Sequence, residues 1–193
     1  MTLSARRVLS RARVPLEFFE WPGRRSFRSA WMECPRGDWL LHLAAILRID
    51  RRILVRTAVE CVRPAMARAD PGMESHARTL DVALAWCDGR ATAPEVWRAT
   101  IEAMPSGRLL GSGASAAVAQ AADAAWAAAS AVEMGTMASV AVAWAAEAVA
   151  TAAAPWAKDE ARAAFLLAAA ETVRRIIPFD LVAGPAEALR LTP

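Results

Sequence analysis

The sequence predicts an all-α, single-domain bundle of about seven or eight antiparallel helices with an Ala-rich C-terminal half. Three observations predict it. Alanine, the strongest helix former, fills 48 of 193 positions, and 29 of the 57 residues from Ala114 to Ala170. Apolar residues recur at spacings of three and four and almost never alternate with period two. Capping and breaking residues punctuate those runs. At 56% hydrophobic and 22% charged, the chain is too apolar for a disordered segment. Its length suits one domain, able to bury about 70% of its unfolded surface without cross-links.

Taken in order, residues 1–25 read as a basic N-terminal arm, because residues 1–30 hold seven Arg against two Glu. The helical domain is expected over 26–178 and a C-terminal tail over 179–193. Ser26 to Glu33 predicts a short helix, ended by the turn Cys34-Pro35-Arg36-Gly37. Asp38 is placed to cap the next helix, since its carboxylate can accept from free first-turn N–H groups. Trp39 to Arg48 follows, with Trp39, Leu40, Leu43, Ile46 and Leu47 on one broad apolar side. Asp50 is the next cap, and Leu54, Ala58, Cys61 and Ala65 form a seam with spacings of four, three and four. Arg56 and Glu60 suit an i,i+4 pair, and Pro64 predicts a kink.

Asp70-Pro71-Gly72 reads as a turn. Met73, Ala77, Leu80, Leu84 and Cys87 then make a seam that Gly89 stops. Thr92 and Glu95 match a capping box, with the Thr92 hydroxyl facing the Glu95 N–H; the helix runs through Trp97 and Ile101 to Met104. In the Ala-rich tract, Trp126 and Trp144 are five turns apart, with a break expected at Gly135-Thr136 and another at Pro155-Trp156. Ala157 to Ile177 is the last long helix. It is expected to bury Ala161, Ala164, Phe165, Ala168, Val173 and Ile176, to pair Glu171 with Arg175, and to stop at Pro178.

Chemistry is sparse. Cys34, Cys61, Cys87, His42 and His76 offer no metal-ligand spacing, and no nucleophile elbow or paired-carboxylate arrangement stands out. The loop Gly107 to Gly113 lacks the Lys and Ser/Thr of a phosphate-binding loop and no strand precedes it. No catalytic residue, cofactor or metal is therefore assigned. Three Cys imply no disulfide framework and a cytoplasmic chain. A signal peptide is not expected, because Met1 to Phe19 has scattered Arg and no apolar run. The most apolar window, Ala138 to Ala154, carries Glu147 and ends at Pro155, so no membrane span is expected.

The eight Trp residues read mainly as core anchors filling gaps that Ala leaves. Around the Gly-Asp-Trp turn, however, Trp31, Arg36, Asp38, Trp39 and His42 bring together the residue types that dominate protein interfaces. Asp38 and His42, four apart, share a helix face. These five are the candidate partner-binding residues. If Asp38 is a cap, Asp38→Ala should lose about 1 kcal/mol, and Arg36→Ala and His42→Ala should leave stability nearly unchanged.

The run Ala30-Trp31-Met32-Glu33-Cys34-Pro35-Arg36-Gly37-Asp38-Trp39-Leu40-Leu41-His42-Leu43 resembles the start of the Ala-rich helical immunity proteins of bacterial polymorphic-toxin systems. The likeness continues over Arg51 to Arg63 and Ala85 to Thr92, and closes at Arg174-Arg175-Ile176-Ile177-Pro178. It spans residues 25 to 180, with Gly37-Asp38-Trp39-Leu40-Leu41 its most specific part. It implies a cytoplasmic protein that binds and blocks a cognate toxin without catalysis, and it carries over no functional residues. The expected partner is thus a protein, with nucleic acid disfavoured. A sequence pI of 9.2 argues against an acidic decoy of nucleic acid. Two alternatives stand beside this reading: a small helical enzyme with a pocket between helices, and a nucleic-acid-associated or phage-related accessory protein using the Arg-rich arm.

Overall fold

A computed structural model of the chain describes residues 4–11, 16–66, 74–103, 137–152 and 157–191. The described residues form ten helices and no strand, with one isolated antiparallel bridge between Ser4 and Ser26. They are α1 (Ala5–Arg11), α2 (Leu16–Glu20), α3 (Phe27–Glu33), α4 (Gly37–Ile46) and α5 (Arg51–Met66). There follow α6 (Glu74–Cys87), α7 (Ala93–Ala103), α8 (Met137–Ala152), α9 (Lys158–Ile176) and α10 (Phe179–Leu191). The all-α class is as the sequence predicts.

The helix number is higher than expected because the two ends are helical. The 1–25 segment is not a solvated arm where it is described: α1 and α2 place Val8, Leu9 and Phe18 in the same buried cluster as Phe27 and Trp31. The 179–193 segment is not a tail. It folds as α10, buries Val182 and Ala186, and packs on α1 and α3.

Local signals explain most boundaries. Ser26 Oγ accepts from Ser29 N at 3.1 Å and starts α3. Asp50 Oδ1 accepts from Arg52 N at 2.8 Å and from Ile53 N at 3.4 Å, capping α5 as expected. Gly89 adopts φ +73° after α6, a left-handed stop that glycine adopts without steric penalty. Thr92 and Glu95 pair with one leg altered. Glu95 accepts from Thr92 N at 2.7 Å as a capping box requires, but the Thr92 hydroxyl donates to the same carboxylate at 2.8 Å instead of facing the Glu95 N–H.

The centre of the molecule is built by α4, α5, α8 and α9, which all touch one another. On α5 the predicted seam of Leu54, Ala58, Cys61 and Ala65 is buried, joined by Val55, Val59 and Val62. Pro64 falls in the last turn of α5. Helices α6 and α7 pack on each other, and α6 leans on α5. Their seam differs from the predicted one: Thr79, Leu80, Ala83 and Cys87 are buried, Leu84 is half-buried and Ala77 is exposed. On α9 the buried residues are Phe165, Leu166, Ala169, Ala170 and Val173, while Ala164 and Ala168 face solvent. Glu171 and Arg175 form no ion pair among the described residues, and Arg56 pairs with Asp88. The expectations for Met73, the loop 107–113, Trp126, the 135–136 break and the 155–156 break lie outside the described residues.

Candidate functional site

The Gly-Asp-Trp turn sits where α2, α3, α4, α8 and α9 converge. Its position is fixed first by Gly37. A Cβ added there would lie 2.6 Å from Ala169 C and Cβ and 2.7 Å from Ala170 N. Only a residue without a side chain lets the start of α4 rest on the α9 backbone. From α9, Arg174 Nη1 donates to Cys34 O at 2.8 Å and holds the incoming turn. Cys61 Sγ, on α5, donates to Ala169 O at 3.7 Å.

Asp38 does not cap α4. The helix begins at Gly37, Arg36 occupies the N-cap position without a side-chain bond to a first-turn N–H, and Asp38 lies inside the first turn. Its carboxylate accepts two bonds from the Arg36 guanidinium, Nε to Oδ1 at 2.9 Å and Nη2 to Oδ2 at 2.6 Å. A bidentate pair saturates the carboxylate more fully than a single backbone N–H would, and a negative charge in the first turn also meets the positive end of the helix dipole. The Asp38 side chain is 9% exposed and that of Arg36 35%. The hydrogen bonds to Asp38 raise the Arg36 pKa against the effect of burial.

The same guanidinium stands 4.5 Å from the centre of the Trp39 ring. Phe18, from α2, stacks on Trp39 at 4.9 Å between ring centres. Arg36 is therefore fixed on one side by a carboxylate and on another by an indole. His42, one turn after Asp38, is half-buried against α8, its Nδ1 3.4 Å from Ser139 Oγ. Burial lowers its pKa below 6.5, and the Asp38 charge works in the opposite direction.

Four of the five sequence-predicted residues are thus brought together: Arg36, Asp38, Trp39 and His42. Trp31 is not available to a partner. It is 1% exposed, and it lines an apolar cavity with Leu9, Phe18, Phe27 and Leu40. Its indole N–H has no hydrogen-bond partner among the described residues. Nor is His42 the exposed group the spacing suggested, since α8 covers it. What faces outward is part of the Arg36 guanidinium and part of Trp39, both half-buried. Sequence reasoning missed Phe18, Ser139 and Arg174. No local signal marked Phe18 or Ser139, whereas Arg174 belongs to the Arg-Arg-Ile segment already noted as a likeness.

The remaining reactive side chains are quiet. Cys34 and Cys87 are pushed up to about 11 by burial, and Cys61 to about 12, so all three are neutral thiols at pH 7. No group of three or more His, Cys, Asp or Glu residues could hold a metal ion among the described residues. Within the same residues no helix is long and apolar enough to cross a membrane. A separate cleft of about 260 Å³ lies between α6 and α7, bordered by Arg78, Glu95, Arg98 and Glu102. Trp97 and Ile101, 49% and 48% exposed, occupy a different side of α7, so Trp97 is not the core anchor expected of it. Compared with known protein families, curated proteins and solved structures, the chain has no match.

Proposed function

We propose that the chain is a non-enzymatic binding protein, an immunity-type antagonist of a cognate bacterial toxin acting in the cytoplasm. The observation that carries this reading is the fixed Arg36–Trp39 pair. An arginine held by Asp38 and an indole held by Phe18 present a cation and an aromatic edge without further loss of side-chain freedom. Such pre-organised Arg and Trp groups are typical anchors of protein interfaces. The Gly37-Asp38-Trp39 segment is also where the likeness to immunity proteins is most specific. His42 and Asp38 act in this reading as positioning residues behind that surface.

The test is co-expression with the product of a toxin-like gene, should one adjoin the gene for this chain. Growth rescue and a stable complex are expected from the native chain. Arg36→Met combined with Trp39→Leu should lose both while the helical circular dichroism spectrum is retained. Rescue that survives the double substitution moves the interface elsewhere, and absence of any complex removes the reading. The α6–α7 cleft favours a second reading, a small enzyme with an interhelical pocket, because two cations and two carboxylates border one depression. Specific binding of a small charged metabolite, lost in Arg78→Ala and Arg98→Ala, would support it.

A further inference from the structure

Five of the Arg residues in the first thirty positions, Arg6, Arg7, Arg24, Arg25 and Arg28, are exposed on folded, described segments. The Ser4–Ser26 bridge, with Ala5 N donating to Arg25 O at 3.2 Å, sets residues 4–8 beside residues 24–28. Helix α1 is fastened beneath by Val8 and Leu9 and flanked by α3 and α10. Arg6, Arg7, Arg24 and Arg28 are all exposed on this region. Among the described residues none of the four has an acidic partner, whereas Arg25, Arg36, Arg56, Arg63, Arg90 and Arg162 all do. Arg6 lies over Phe19 at 5.0 Å and Arg28 over Phe179 at 5.2 Å, so two of the cations are already oriented by a ring.

Guanidinium groups recognise carboxylates and phosphates alike. One feature favours carboxylates. Nucleic acid binding without sequence preference combines cations with open aromatic faces for base stacking. Here Phe19, Trp21 and Phe179 are half-buried, and each has a guanidinium of its own chain, Arg6, Arg25 or Arg28, over one face.

We propose that Arg6, Arg7, Arg24 and Arg28 form a docking surface for an acidic protein segment, one presenting several Asp or Glu side chains. The partner is the toxin only if the reading above holds; the surface itself is tested without it. Full-length protein is titrated with a labelled oligo-glutamate peptide and, in parallel, with labelled oligo-thymidylate of equal charge. The peptide is expected to bind, less tightly as salt rises. The variant R6E/R24E/R28E should weaken it at least tenfold, about 1.4 kcal/mol. The control R48E/R63E/R175E, exposed positions outside both this surface and the α6–α7 cleft and with the same change in net charge, should stay within about twofold. Circular dichroism checks the fold of both. If the triple variant does not fold, R7E/R24E is measured in its place, since neither side chain contacts a ring. Absence of peptide binding, equal losses in test and control variants, or tighter binding of oligo-thymidylate would each overturn the proposal. Failure of toxin rescue with peptide binding intact removes only the immunity reading.

Discussion

A methyl group at position 37 has nowhere to go. Two backbone atoms and one Cβ of α9 already occupy its space within 2.7 Å, so Gly37→Ala should force α4 away from α9 and destabilise by about 1–3 kcal/mol. Denaturant unfolding measures this. Ala169→Gly should not restore stability, because the Ala169 carbonyl carbon and the Ala170 nitrogen remain in the way; full restoration would show that only side chains conflict. One residue later the energetics are asymmetric. Arg36→Ala strands a carboxylate that is 9% exposed and should lose about 2–3 kcal/mol. Asp38→Ala leaves a guanidinium that water and Trp39 still accommodate and should lose about 1 kcal/mol. Equal losses in the two variants would contradict this arrangement, and so would the cap expectation, in which Arg36→Ala is silent. His42 adds a pH dependence. Its folded pKa is depressed by burial, so protons bind the unfolded chain more readily. The stability of its neutral form is complete above the unfolded value of 6.5 and is lost as pH falls through the folded one. Unfolding between pH 7.5 and 5 should show a stability decline that His42→Gln flattens.

At the scale of elements, the two ends of the chain show what a sequence conceals. Helix α1 carries Ala5, Val8 and Leu9 at i, i+3 and i+4, a short but complete apolar stripe, all buried. Charge obscured it, since seven Arg in thirty residues resemble a solvated arm more than a core helix. Leu9→Ala should therefore lose about 2–4 kcal/mol, and removal of residues 1–25 should abolish cooperative thermal unfolding, where a loose arm would leave it intact. Helix α10 was hidden differently. Pro178 reads as a stop, yet a helix resumes directly after it, and burial of Val182 and Ala186 offsets the single ladder bond that Pro185 removes. On α9 the difficulty is contrast: when most residues are Ala, the apolar stripe has no sharp edge, and the predicted and observed faces differ by about one position. On α5, where Arg and Glu alternate with Leu, Val and Cys, the face was legible throughout. Asp50 and Gly89 were legible for the same reason, because each satisfies a local backbone need that no distant packing has to supply.

At the scale of the molecule, long-range placement is what sequence could not provide. It gathered Arg36, Asp38, Trp39 and His42 by adjacency, but Phe18, Ser139 and Arg174 reach the site from 21 residues before Trp39, 97 after His42 and 140 after Cys34. It also could not tell that Trp31 turns inward while its neighbour Met32 turns out. The same placement divides stability unevenly. Helices α4, α5, α8 and α9 each touch the other three, and Val55, Val62, Val142 and Ala145 at their centre are fully buried. Helices α6 and α7 reach that centre mainly through α5, helped by exposed ion pairs, Arg63 with Asp81 and Arg56 with Asp88. Exposed pairs contribute little, about 0–1 kcal/mol each, and less in salt. Opening the α6–α7 pair should therefore require less free energy than global unfolding. Native-state hydrogen exchange should find the slowest amides in 55–62 and 142–146, with 93–103 exchanging through a smaller opening that high salt accelerates. Uniform protection across α5 and α7, unchanged by salt, would mean that the outer pair and the four-helix centre unfold as one unit.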